Sequence, residues 1–257
     1  MEPDGTAAAR SREGSGSEVA SQTGRALLGI RECLLRGEFS RRERISEVGL
    51  SERLQMSRTP IRMALERLAH LGLLDIGPKG GFFVREFTVA DVRDAIEIRA
   101  VLEGTAARLA AERLAGDAEL ERLRGLRDQI DSLAELSVAS LDYYMNCNEA
   151  FHVGIVELSK SPMLKRMLEQ ANSLPFASPN AMLFSTSMFD TSHRTLAIAQ
   201  EQHRALVEAI ENGEGTRAEH LAREHARLGR IAFDRVLSDP ALLGNVPGGP
   251  LIKLPSD

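Results

Sequence analysis

The chain has 257 residues, of which 43% are hydrophobic, enough to bury a core and too many for a chain disordered throughout. Its net charge of −5 is unevenly spread: residues 24–86 hold 12 Lys/Arg against 8 Asp/Glu, whereas residues 87–257 hold 18 against 25. No apolar run approaches the roughly 18 residues that cross a bilayer, and the first twenty residues lack the apolar centre of a secretory signal, so a soluble cytoplasmic protein with no membrane partner is expected. Cys33 and Cys147 stand far apart with no CxxC-like partners, which excludes a zinc ribbon or a disulfide scaffold.

Residues 1–22 are rich in Gly, Ser, Ala and charge and read as a disordered leader. From Ala26, the residues Leu27, Ile30, Leu34 and Leu35 fall at helical spacing, and the helix should end near Gly37. A second short helix is expected from Ser46 to Leu54, with Val48, Leu50 and Leu54 on its buried side. A third should start at Ser57 as N-cap, carry Pro60 in its first turn and run to about Leu71, burying Ile61, Leu65 and Leu68. Leu73–Ile76 and Phe82–Val84, separated by GPKGG, read as a hairpin with a Gly-rich tip. Three helices and a hairpin over residues 23–86 make a winged helix-turn-helix.

Residues 87–238 read as helical throughout. Thr88 and Asp91 open a segment with Val92, Ile96, Val101, Leu102, Ala106, Leu109 and Ala110 at helical spacing, and later segments begin near Asp117, Leu141, Ser161, Asp190 and Glu214. Only SLPFASPN, residues 173–180, breaks the pattern with two prolines. The fold class expected is therefore mainly α, a winged helix-turn-helix followed by an antiparallel bundle of about six helices; residues 239–257, rich in Pro and Gly, read as a flexible tail.

On the third helix Ser57, Arg58, Thr59 and Arg62 project from the N-terminal turns, away from the apolar stripe. In a helix-turn-helix those turns enter the major groove, where Arg donates to guanine and N-terminal N–H groups with Ser or Thr hold phosphate. Lys79, Gly80 and Gly81 of the wing would add backbone contacts that set register. In the helical part Asn148 and His152 are four apart on one face, while His203 and His225 lie on later helices. Those four can complete a site for Zn²⁺, Ni²⁺ or Mn²⁺, or stand as separate core and surface histidines; spacing alone leaves both readings open. His220 falls on another face than His225, His70 reads as structural, and His193 with Arg194 is either a solvated cap or a contact to an anionic ligand.

The stretch LSERLQMSRTPIRMALERLAHLGLLDIGPKGGFFV resembles the DNA-binding domain of GntR-type bacterial transcription regulators, with their SRTPVREAL-like recognition helix, GLL turn and Gly-aromatic-Val wing. It departs from them at Val48, where a DNA-contacting Arg is common, at Met63, usually Glu, and at Gly80, often Arg or Asn. Residues 88–237 are similar to the FCD effector-binding domain of the FadR subfamily, through Arg99 and Glu103 in R-x-x-x-E, Asn148 to His152 in N-x-x-FH, His203 to Glu214, and His225. The resemblance implies DNA binding through Arg58 and Arg62. It further implies a divalent metal held by Asn148, His152, His203 and His225, and a small organic acid effector near Arg99 and Glu103. Asn148 stands where Asp is commoner, which removes one negative charge and implies weaker metal binding and a different choice of metal. The function expected is a ligand-responsive regulator, a repressor, binding a palindromic operator as a homodimer and not an enzyme. Its alternatives are a metal-dependent hydrolase with an accessory winged helix and a ligand-free dimeric DNA-binding protein.

Overall fold

The computed structural model describes residues 6–133, 138–174, 176–181 and 189–255, and the chain divides into two compact units. The first comprises residues up to Phe87 together with Pro250–Lys253; the second comprises Thr88–Gly249 and the last residues.

The first unit opens with α1 (Thr6–Leu35), followed by β1 (Arg44–Ile45), α2 (Glu47–Leu54), α3 (Arg58–His70), β2 (Leu74–Ile76) and β3 (Phe82–Val84). Ala26, Ile30, Cys33 and Leu34 form the buried stripe of α1, and Ile61, Ala64, Leu65 and Leu68 that of α3. β3 is the central strand, pairing antiparallel with β2 and with β1, so the wing is a three-stranded sheet rather than the hairpin expected. β1 is two residues long, too short for a period-two pattern to reveal.

Four expectations in this unit are corrected. The helix does not begin at Ala26 after a disordered leader: α1 already runs from Thr6. Each residue added to an established helix gains a hydrogen bond, and this carries α1 through the unfavourable glycines of GSGS to the alanines and arginines of AAARSR. Val48 is 44% exposed, because Leu50 alone of α2 is buried. Ser57 has the extended backbone of an N-cap, yet its side chain makes no capping bond. The third helical position is Pro60, which has no N–H to offer the hydroxyl. His70, expected to be structural, is exposed.

The tail is not loose either. After α10 (Pro240–Asn245) a short 3-10 turn at Gly249–Leu251 leads into β5 (Ile252–Lys253), which pairs with β4 (Phe87–Thr88). Leu251 and Ile252 are buried, the Arg41 guanidinium donates to the Ile252 carbonyl, and Lys253 lies 3.7 Å from Glu86. Two apolar side chains and a strand pairing outweigh the Pro/Gly composition that suggested disorder.

The second unit holds six long helices, α4 (Val89–Arg113), α5 (Asp117–Asp131), α6 (Val138–Leu158), α7 (Pro162–Asn172), α8 (Phe189–Glu211) and α9 (Gly215–Leu237), then the short α10. Thr88 and Asp91 close a capping box at the start of α4. The buried stripe of α4 runs through Val92, Ile96, Arg99, Glu103, Ala106 and Ala110, which turns Val101, expected inside, outward at 39% exposure. α4 and α9 approach closely: a Cβ at Gly104 would lie 2.8 Å from Arg223 Cγ and 3.0 Å from the Glu219 carbonyl oxygen. This contact fixes the two helices that carry Glu103 and His225.

Candidate functional site

In the first unit the N-terminal turns of α3 present Ser57, Arg58, Thr59 and Arg62 to solvent while Ile61, Leu65 and Leu68 face the core. Arg58 has no carboxylate partner among the described residues, and Arg62 lies 3.2 Å from Glu66 one turn along, both side chains more than half exposed. Such a surface pair is worth little and separates readily when a phosphate or base competes. At the wing Gly77 donates to the Gly81 carbonyl and Gly80 to that of Gly77, with Gly80 at φ +79° and Gly81 at φ +87°; Lys79 and Gly80 are exposed at the tip. The Ser57 hydroxyl, freed by Pro60, is left open to an external acceptor or donor.

In the second unit the core of the bundle gathers three imidazoles. His152 on α6, His203 on α8 and His225 on α9 are buried and each offers a ring nitrogen within 4.8 Å of the others. The Nε2 atoms of His203 and His225 are 3.2 Å apart, close to the roughly 3.3 Å edge of a tetrahedron built on a metal–nitrogen bond of about 2.0–2.1 Å. Three further contacts set the rings. His152 Nδ1 lies 3.3 Å from Glu103 Oε1, which can accept a hydrogen bond from it, and the buried Nε2 has no partner among the described residues. His225 Nδ1 lies 3.1 Å from Gln202 Oε1, which directs its Nε2 lone pair inward. His203 Nδ1 has no partner among the described residues, and its ring lies 4.5 Å, centre to centre, from that of Phe151.

Burial, reinforced by the neighbouring imidazoles, holds His203 and His225 well below the ordinary histidine range, so both are neutral, the form that ligates a metal. Glu103 is fully buried, which raises its carboxyl, but Arg99, His152 and His225 together outweigh this and bring it down to about 2. Arg99 lies 3.7 Å from Glu103 and 3.5 Å from the Ala226 carbonyl oxygen, and its Nε has no partner among the described residues: a buried guanidinium only loosely held. The donor set therefore fits a borderline transition metal, with a carboxylate positioning one ligand and a cation beside the site.

Asn148, one turn before His152, is buried and donates its amide to Asn180 Oδ1 at 2.9 Å, while Asn180 donates to the Met145 carbonyl at 2.9 Å. Asn180 comes from the proline-broken SLPFASPN stretch. A small cavity lined by Glu103, His152, Ile155, Leu206, Ala222 and His225 adjoins the cluster and has room for about one water-sized body. Glu149 is exposed, and Glu103, the carboxylate at the cluster among the described residues, is lowered to about 2, which makes it a weak general base. His220 is exposed, as expected; the side chains of His193 and Arg194 lie outside the described residues.

The family of bacterial regulatory proteins of the gntR family matches residues 23–84, and the FCD domain family matches residues 94–228, more than half of the chain. The chain belongs to the GntR family of transcriptional regulators, with an FCD domain. The curated relatives of this regulator are transcription regulators rather than enzymes. Over 136 residues it is 38% identical to the Nta operon transcriptional regulator of Aminobacter aminovorans, a match spanning 52% of this chain and 63%, just under two thirds, of that protein. Over 181 residues it is 31% identical to a probable D-xylose utilization operon transcriptional repressor of Paenarthrobacter nicotinovorans, spanning 70% and 75%. The solved structure of E. coli McbR/YncC superposes with a TM-score of 0.61 at 23% identity, over 83% of this chain and 98% of that one, and shows the same fold. No described helix is long and apolar enough to cross a membrane.

Sequence reasoning missed Gln202 and Asn180, and the contact of Glu103 with His152. Gln202 precedes His203 and carries no motif; Asn180 sits in a stretch whose prolines drew attention to backbone rather than to side chains.

Proposed function

We propose that this regulator represses transcription as a homodimer on a palindromic operator and releases it when a small organic acid binds beside a divalent metal in the helical unit. The observation that carries the reading is the buried His152–His203–His225 cluster with its orphaned His152 Nε2, next to the under-paired Arg99. His152, His203 and His225 would hold the metal, with Asn148 as a fourth, oxygen ligand; Zn²⁺, Ni²⁺ and Mn²⁺ all accept such a set. When bound, the metal supplies a positive centre that a carboxylate or hydroxy-acid oxygen can join. Arg99 would take the remaining carboxylate oxygen through its free donors.

The adjoining cavity holds about one water-sized body, so an organic acid enters only if the surrounding helices shift. That shift is the differential interaction a regulator needs, and a coupling of about 1–3 kcal/mol changes operator occupancy 5- to 150-fold. On the DNA side Ser57, Arg58, Thr59 and Arg62 read the major groove, and Lys79, Gly80 and Gly81 hold backbone. One winged helix spans few bases, which is why two copies on twofold half-sites are required.

The test is metal analysis by mass spectrometry on untagged protein beside His203→Ala, followed by a screen of carboxylic acids for a rise in melting temperature. About one transition-metal ion per chain, lost in the variant, with at least one acid that raises the melting temperature and releases DNA, is expected. No metal in either protein, and no acid that acts, overturns the reading.

A further inference from the structure

We infer that Arg44, at the base of the wing, is a DNA phosphate-contacting residue that works beside the recognition-helix arginines. The inference rests on the DNA-binding reading of the first unit.

In the antiparallel register Arg44 of β1 stands opposite Phe83 of β3, and Ile45 opposite Phe82. Ile45 and Phe82 are buried, so the alternation of a strand turns Arg44 and Phe83 to the outer face of the sheet. From there the guanidinium lies along the wing: a Cβ built on Gly81 would be 3.1 Å from Arg44 Nε and 3.4 Å from Nη2. Gly81 thus has two reasons to be glycine, its φ of +87° and the shelf it offers Arg44. A cation laid against backbone in this way loses less freedom on binding than one waving in water.

The pairing of charges in the same unit separates Arg44 from its neighbours. Arg36 pairs with Glu32, Arg42 with Glu86, Arg53 with Glu38 and Arg62 with Glu66, and Arg41 is committed to the Ile252 carbonyl. Arg44, like Arg58 at the head of α3, Lys79 at the wing tip, Arg25 and Arg67, has no carboxylate partner among the described residues and is exposed; of these, Arg44 is the one whose guanidinium is laid against the wing backbone at Gly81. A phosphate arriving at Arg44 breaks no ion pair and releases a counterion from the duplex, which is the sequence-independent part of DNA affinity. A two-pronged guanidinium suits phosphate oxygens, and its place on the wing gives it a positioning role in register rather than a reading role in sequence.

The experiment measures binding of the full chain to a random-sequence duplex over a range of salt, for the unaltered protein, Arg44→Gln, Arg44→Lys, Arg42→Gln and Arg58→Ala. Arg44→Gln is expected to weaken binding about 3- to 10-fold and to lower the slope of log affinity against log salt by about one. Arg44→Lys should keep the slope, Arg42→Gln should leave both nearly unchanged, and the melting temperature should move with none of them. Unaltered affinity and slope in Arg44→Gln overturn the inference, as does a loss confined to operator DNA with random-sequence binding intact, which would mark a base contact instead. If Arg44→Gln unfolds, Arg44→Lys decides: a lost slope in that folded variant refutes the assignment and a kept slope supports it. If Arg58→Ala also binds random DNA with unchanged affinity and slope, it is the DNA-binding reading of α3 that fails, independently of Arg44.

Discussion

His152 Nδ1 lies 3.3 Å from the Glu103 carboxylate, and Glu103 in turn lies 3.7 Å from Arg99, so one carboxylate both orients an imidazole of the histidine cluster and balances a buried guanidinium. Glu103→Gln should therefore do two things. It should weaken metal binding about 10- to 100-fold, as loss of an orienting carboxylate does, read by competition with a chelator. It should also cost about 3 kcal/mol of stability in denaturant unfolding, because Arg99 is left buried and unpaired. The double substitution Arg99→Met, Glu103→Gln should recover stability without recovering metal affinity. Recovery of both would show that Glu103 acts only through Arg99.

Asn148→Asp tests the departure from the commoner carboxylate. The Asn148 amide now donates to Asn180; a carboxylate there faces an oxygen and must turn Asn180 or lose the contact. The expected outcome is a lower melting temperature without metal and tighter metal binding, two shifts of opposite sign from one substitution. Tighter binding with no loss of metal-free stability would remove the Asn148–Asn180 bond from the account.

The metal-free protein should lose stability in acid in two stages. His203 and His225 titrate well below 6.5 when folded but near 6.5 when unfolded, so the unfolded chain takes up protons first and stability falls as pH drops below 6.5. Glu103, lowered from 4.5 to about 2, stabilises the fold above pH 4.5 and loses that contribution between 4.5 and 2. Urea unfolding with chelator present should give a smaller free energy at pH 5.5 than at 7.5. An equal or larger value at 5.5 contradicts burial of neutral imidazoles.

Arg58→Ala and Arg62→Ala should each cost about 1–3 kcal/mol of operator affinity if they read bases, and relax specificity at single positions. Glu66→Gln, which frees Arg62 from its exposed partner, should strengthen binding slightly. Operator footprints of the three variants decide whether either arginine reads a base.

Ile252→Ala should destabilise the protein by about 2–4 kcal/mol, because the side chain is buried against the first unit rather than free in a tail. Protease digestion of the unaltered protein should spare the last residues up to Lys253. A melting temperature unmoved by Ile252→Ala would return the segment to a loose tail.

Much of this molecule is legible in its sequence. The helix start at Thr88 and Asp91, the stripe of Ile61, Leu65 and Leu68, and six long helical runs are local patterns set by hydrogen bonding and by a 3.6-residue period, which need no partner to be read. Short elements were not legible: β1 has two residues and exists because β3 offers it an edge. Val48 and Val101 look like core by type, but which face of a helix is buried is decided by what packs on it, and on α4 that stripe includes Arg99 and Glu103. The tail's glycines and prolines describe backbone freedom, whereas Leu251 and Ile252 are ordered by an apolar surface built from residues about 200 positions earlier. The histidines could be named from sequence as candidates. Only the close approach of α4 and α9, and the bundle that brings α6 and α8 to them, placed His152, His203 and His225 within reach of one ion, with Glu103, Gln202 and Asn180 arranged around His152, His225 and Asn148. Distances between side chains on separate helices are set by packing of the whole core, and no spacing within one segment carries them.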